Sequence, residues 1–129
     1  MIAVDTNILV RYFAEDDTVQ TELARRFLEC EATTERPAFV VLVTLVELLW
    51  VLADAYNVGK AILREVVTEL LNAPNIVIER DEIVRIAMTG EHGDIADRII
   101  HLVGEASGCS ATYTFDKKFA RLDGVELLA

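Results

Sequence analysis

Four carboxylates interrupt apolar runs in this sequence. Asp5 follows Ile2-Ala3-Val4. Glu47 stands between Val43-Thr44-Leu45-Val46 and Leu48-Leu49-Trp50-Val51-Leu52. Asp97 lies inside Ile95-Ala96-Asp97-Arg98-Ile99-Ile100, and Asp116 ends Thr112-Tyr113-Thr114-Phe115. Burying an ionised carboxylate is costly unless it is paired or binds metal. A chain that does so four times is expected to gather the charges around cations. Clustered carboxylates holding a divalent ion are one way to hydrolyse phosphodiester bonds. Hard oxygen donors, with no Cys or His at zinc spacing, select Mg²⁺ or Mn²⁺ over Zn²⁺. One or two such ions would align a water, lower its pKa and stabilise charge on a phosphate.

The elements that must position these acids fit one domain of 129 residues, 1–129. The apolar fraction of 53% exceeds the usual ~45–50%, which indicates a packed core and leaves apolar surface for a dimer interface. The net charge of −10 argues against broad electrostatic binding of nucleic acid. Bound cations would offset part of that charge locally, and the excess would suit a basic partner protein. Cys30 and Cys109 match no redox spacing and read as small apolar residues in a reducing cytosol. No signal peptide is visible, because Asp5 breaks the first apolar run too early. The stretch from Pro37 to Tyr56 approaches membrane-spanning length. However, Glu47 lies at its centre, where a charge costs ~2.5–3.5 kcal/mol on insertion scales. The stretch therefore reads as a strand and a buried helix, and the protein as cytoplasmic.

Strands are expected at Ile2–Val4, Phe39–Val43, Asn75–Ile78 and Ala111–Phe115, with an edge strand from Val125 to Leu128. Between them the apolar spacing predicts helices. One follows the cap Asp5-Thr6-Asn7. A second follows Asp16-Asp17-Thr18 and carries Leu23, Phe27 and Leu28 on one face. Others open at Thr44, run over Lys60–Leu71, follow Asp81, and run from Asp94 to about Ser107. Gly90 to Gly93 reads as a break, and Gly108 as a stop. Alternating strands and helices indicate an α/β fold around a central, mostly parallel sheet of 4–5 strands.

In such a sheet the carboxyl ends of the strands share one rim, where ligands bind. Asp5 and Asp116 fall just after strands, and Glu47 and Asp97 in the first turns of helices. Residues distant in sequence would thus converge. Two of the acids have a plainer alternative. Thr44-x-x-Glu47 has capping-box spacing, and Asp94, three residues before Asp97, is placed to cap their shared helix. Thr6, Asn7 and Thr114 are either hydrogen-bonding support at the rim or ordinary caps and strand polarity. His101, four residues after Asp97, is a conceivable general base, although a satisfied or exposed histidine is the simpler expectation for it and for His92. Trp50 and Tyr56 are expected in the core.

The same residues resemble the motifs of PIN-domain ribonucleases. Met1-Ile2-Ala3-Val4-Asp5-Thr6-Asn7-Ile8-Leu9 resembles the family's opening, and Val46-Glu47-Leu48 with Trp50-Val51-Leu52 its second motif. Gly93-Asp94-Ile95-Ala96-Asp97-Arg98-Ile99-Ile100 is similar to the third, and Thr114-Phe115-Asp116-Lys117-Lys118-Phe119 to the fourth. Four motifs in family order span nearly the whole chain, and the nearest likeness is to the VapC-type toxins of toxin–antitoxin pairs. The resemblance implies a three-layer PIN-like sandwich and Mg²⁺- or Mn²⁺-dependent cleavage of RNA. It also implies a homodimer and inhibition by a small antitoxin. Asp5, Glu47, Asp97 and Asp116 would be the metal ligands, with Asp94 a companion acid. Arg98 stands where the family has a small residue. Lys117 and Lys118 would lie near the mouth, within reach of RNA phosphate, or else be solvated.

Two other classes compete. Another Mg²⁺-dependent phosphoesterase, such as an aspartyl-phosphate phosphatase, would want Asp where Asn7 stands. A dinucleotide enzyme would want a Gly-rich turn after the first strand, and none is present. A catalytically weak PIN-like binding module would be marked by loss of an acid, and all four are retained.

Overall fold

The expected strands pair in parallel, but each is shorter than its apolar run. The computed structural model describes residues 1–90 and 93–129, which divide into two compact units, Met1–Asp81 and Glu82–Ala129. His92 lies outside the described residues.

In the first unit, strands β1 (Ile2–Ala3), β2 (Ala38–Val40) and β3 (Ile76–Ile78) form a parallel ladder in that order. Ile2 registers with Ala38 and Ala38 with Ile76. The central strand is the most buried, with Ala38 and Val40 fully enclosed, as a strand covered on both faces must be. Helices α1 (Thr6–Ala14), α2 (Thr18–Arg26), α3 (Leu42–Tyr56) and α4 (Lys60–Asn72) complete the unit, and α1 packs against both α2 and α3. Asp17 caps α2 by accepting from the Gln20 amide at 2.9 Å. A π-helical turn, Phe27–Glu31, continues α2. The carbonyls of Leu28 within it and of Ala32 just after it accept from the Asn75 side-chain amide at 2.6 and 3.1 Å.

The structure corrects the reading of the stretch from Pro37 to Tyr56. The strand ends at Val40 rather than Val43, and Val41, not Thr44, is the N-cap of α3. The reason lies elsewhere in the chain: the Glu79 carboxylate accepts from the Leu42 amide at 2.8 Å, doing from the end of β3 what a local capping side chain would do. Helix α3 is also not buried all round. Leu45, Leu48, Leu49 and Leu52 are enclosed, whereas Val43 and Trp50 are 76% and 49% exposed. That i, i+3, i+4, i+7 stripe is an ordinary one-sided helix face. The expectation of a core Trp50 therefore fails, and on α2 Leu23 lies exposed. Cys30 and Cys109 are likewise exposed. Among the described residues, no helix is long and apolar enough to cross a membrane.

In the second unit, α5 (Asp81–Ala87, opening at the boundary) precedes α6 (Ile95–Ala106), and β4 (Thr112–Thr114) pairs in parallel with β5 (Val125–Leu127). The five expected strands are thus present as parallel ladders of three and two. Gly108, at φ +94°, turns the chain out of α6 as expected. Gly124 is required twice over. Its φ is +86°, and a Cβ there would stand 2.9 Å from the His101 ring. That ring is buried and shares a 2.8 Å hydrogen bond between Nδ1 and the Thr112 hydroxyl. His101 therefore ties α6 to the start of β4, and the plainer of its two readings holds.

Candidate active site

Parallel pairing places Asp5 and Glu47 on neighbouring elements. Chain leaving β1 enters α1 at Asp5, and chain leaving the adjacent β2 enters α3. Asp5 caps α1, its carboxylate accepting from the Thr6 amide at 2.7 Å. The buried Thr6 hydroxyl donates a very short hydrogen bond to the Glu47 carboxylate. Glu47 is the sixth residue of α3 and lies in its second turn. The capping-box alternative is thereby excluded, because the helix begins before Thr44 and Glu47 faces Thr6. Asp5, Thr6, Asn7 and Glu47 line one cleft of about 400 Å³, which extends past Val51 and Ala55 to Arg11 and Tyr56.

In the second unit, Asp94 caps α6 by accepting from the Asp97 amide at 2.7 Å. Asp97 follows on the first turn, half-buried, with its carboxyl pushed up to about 6. The largest cause is burial, which penalises the charged form; repulsion from Asp94 and then Asp116 adds to it. Asp116 caps the turn after β4, accepting from the Lys118 and Phe119 amides at 2.8 and 3.2 Å, while its own amide donates to the Thr114 hydroxyl at 3.0 Å. Asp94, Asp97, Asp116 and Thr114 are thus brought together around one helix N-terminus and one strand end. Lys117 and Lys118 are exposed beside Asp116.

The acids are less buried than their apolar neighbours in sequence suggest. Asp5, Glu47, Asp94 and Asp116 are exposed, and only Asp97 is half-buried. Apolar flanks on a helix lie on other faces, and a residue ending a strand faces the rim. The energetic anomaly therefore reduces to Asp97. Among the described residues, no three Asp, Glu, His or Cys side chains stand close enough to hold a metal ion as they are. Asp97 is coupled to Asp94 by hydrogen bonding as well as by charge, and to Asp116 by charge alone, so two of these acids but not three stand in close contact. The donor chemistry fits a hard divalent cation, which would relieve the repulsion that raises Asp97.

Three residues that matter locally were not singled out as positioning groups from the sequence. Glu79 caps α3. Arg11 on α1 is bonded to Asp16 (3.0 Å) and Gln20 (2.7 Å), and Tyr56 donates to Asp16 at 2.6 Å; Tyr56 is thus half-exposed at the cleft rather than in the core. Arg98 is buried, with Nε donating to the Ala87 carbonyl at 2.5 Å and Nη1 to that of Gly93 at 2.6 Å. It joins the end of α5 to the residue before the Asp94 cap. Its burial was legible, since Ile95, Arg98 and Ile99 share a helix face.

None of the curated proteins compared with the chain matches it. The family model of the PIN domain matches residues 2–125 and so takes in all five of the acids above. By that match the chain belongs to the PIN-domain family, and its α/β architecture is the PIN fold.

Proposed function

We propose that this protein is a divalent-metal-dependent endoribonuclease of a single PIN domain, 1–129, acting as the toxin of a type II toxin–antitoxin pair. PIN domains are generally metal-dependent nucleases. The observation that carries the proposal is Asp97, a half-buried carboxyl pressed by Asp94 and Asp116. Such a group is unfavourable as a free carboxylate and suited to a cation.

Asp5, Glu47, Asp97 and Asp116 would hold Mg²⁺ or Mn²⁺, with Asp94 secondary. When bound, the ion supplies charge neutralisation at the scissile phosphate and polarises the attacking water. The chain's own residues do the rest. Thr6 holds the Glu47 carboxylate in one orientation, and the Asp94 cap fixes the first turn that carries Asp97. Thr114 bonds to the Asp116 backbone, and Asn7 lies on the cleft wall beside Asp5. Water attacks phosphorus as the bond to the leaving oxygen of the RNA breaks, and that oxygen takes up a proton. The four-motif likeness to VapC-type toxins supports a cytoplasmic homodimer held inactive by a small antitoxin.

Titration of Mn²⁺ into the purified protein by calorimetry tests the metal assignment. Wild type should bind, and Asp97→Asn should bind at least about tenfold more weakly. A wild type that binds no Mn²⁺ would identify an inactive binding module and overturn the proposal.

A further inference from the structure

We propose that Arg11 and Tyr56 form a nucleotide subsite at the far end of the cleft that begins at Asp5 and Glu47, taking single-stranded RNA. The inference rests on the ribonuclease reading and adds to it where the strand lies beyond the cut.

All the groups belong to one cleft of the first unit. The acids stand at one end. Tyr56 lies nine positions after Glu47 on α3, about 13 Å at helical rise, so Tyr56 serves a different nucleotide from the one cleaved. Between them Val51 and Ala55 give an apolar wall. At the far end the guanidinium is held in place: Nη1 bonds to Asp16 at 3.0 Å and to the Tyr56 hydroxyl at 3.4 Å, and Nε to Gln20 at 2.7 Å. These contacts leave Nη2 with no hydrogen bond to a described residue. The Tyr56 hydroxyl is itself anchored on Asp16 at 2.6 Å, which holds the tip of the ring in place.

Exposed ion pairs of this kind add little to stability, so the main effect of the network is orientation. It holds a guanidinium, paired with Asp16, beside an aromatic ring, in a chain of net charge −10. A guanidinium suits a phosphate, and an aromatic face suits an unpaired base of any sequence. An apolar wall running from the acids to that pair favours a flexible single strand over a duplex, whose bases are not free to stack.

The test is fluorescence anisotropy of a labelled single-stranded RNA in Ca²⁺, with cleavage measured in Mn²⁺ alongside. Tyr56→Leu and Arg11→Gln should each raise Kd and KM about tenfold. Tyr56→Phe should raise Kd less than Tyr56→Leu does, because it keeps the ring for stacking and loses only the hydroxyl that anchors it on Asp16. A dinucleotide, too short to reach Tyr56, should be cut equally by wild type and Tyr56→Leu. An unchanged Kd in Tyr56→Leu, or an equal loss in Tyr56→Phe and Tyr56→Leu, would overturn the subsite. So would a wild type that does not bind the RNA. Strand binding that depends on Tyr56 without cleavage in Mn²⁺ would support the subsite and sink the nuclease reading. Cleavage with the same KM in every variant would sink the subsite alone.

Discussion

Asp97→Asn is expected to abolish RNA cleavage while making the metal-free protein more stable at neutral pH. The loss of activity, at least ~100-fold, follows from removing a charged ligand where the reaction needs electrostatic stabilisation. The gain in stability follows from the carboxyl's environment. Its value in the folded chain is about 6, against an ordinary 3.8, so the folded state holds this proton more tightly than the unfolded state does. Stability from this group is therefore fully present below about pH 4 and is lost as pH rises through about 6. Above that range the ionised group destabilises the fold. The full shift would convert to roughly 3 kcal/mol, but a half-buried group beside solvent is screened, and about 1 kcal/mol is expected. Melting curves with EDTA check this: Asp97→Asn should melt above wild type at pH 7.5 and together with it near pH 4. A lower melting temperature at pH 7.5 would show that Asp97 is a structural acid whose charge the fold requires.

Arg98→Met should be the most damaging change outside the carboxylates. It keeps a long apolar stem but strands the carbonyls of Ala87 and Gly93, which accept from the guanidinium at 2.5 and 2.6 Å. One buried and one part-buried acceptor losing a charged donor cost about 3 kcal/mol. Arg98→Lys should recover only part of this, because a single ammonium cannot follow the fork of a guanidinium. Chemical denaturation measures both. If Arg98→Met is as stable as wild type, the guanidinium is not what secures the segment before Asp94.

The acids themselves stood out in the sequence because they interrupt apolar runs, but their burial did not follow, since only Asp97 is half-buried. Parallel strands at Ile2, Phe39, Ile76 and Thr112 could be read from short apolar runs, and the positions of Asp5 just after β1 and of Asp116 just after β4 followed. The caps at Asp17 and Asp94 were also legible, because their hydrogen bonds span only three residues. What could not be read were long-range partners. The Glu79 cap on Leu42 spans 37 residues, and the Thr6 bond to Glu47 spans 41. Without those partners, Thr44-x-x-Glu47 looked like a local capping box and the strand ending at Val40 looked three residues too long. Trp50 was misplaced for a related reason. A nearly continuous apolar helix has no polar face to show which side is out, and only packing of Leu45, Leu48 and Leu52 decides it. Tyr56 was misplaced because its anchors, Asp16 and Arg11, lie on other elements.

The central claim is that these carboxylates cut RNA through a bound divalent ion. Incubating purified protein and single-stranded RNA with Mn²⁺, with Mn²⁺ and excess EDTA, and with Asp5→Asn in place of wild type tests it most directly. Cleavage is predicted in the first reaction and not in the other two. Equal cleavage in all three would contradict the account.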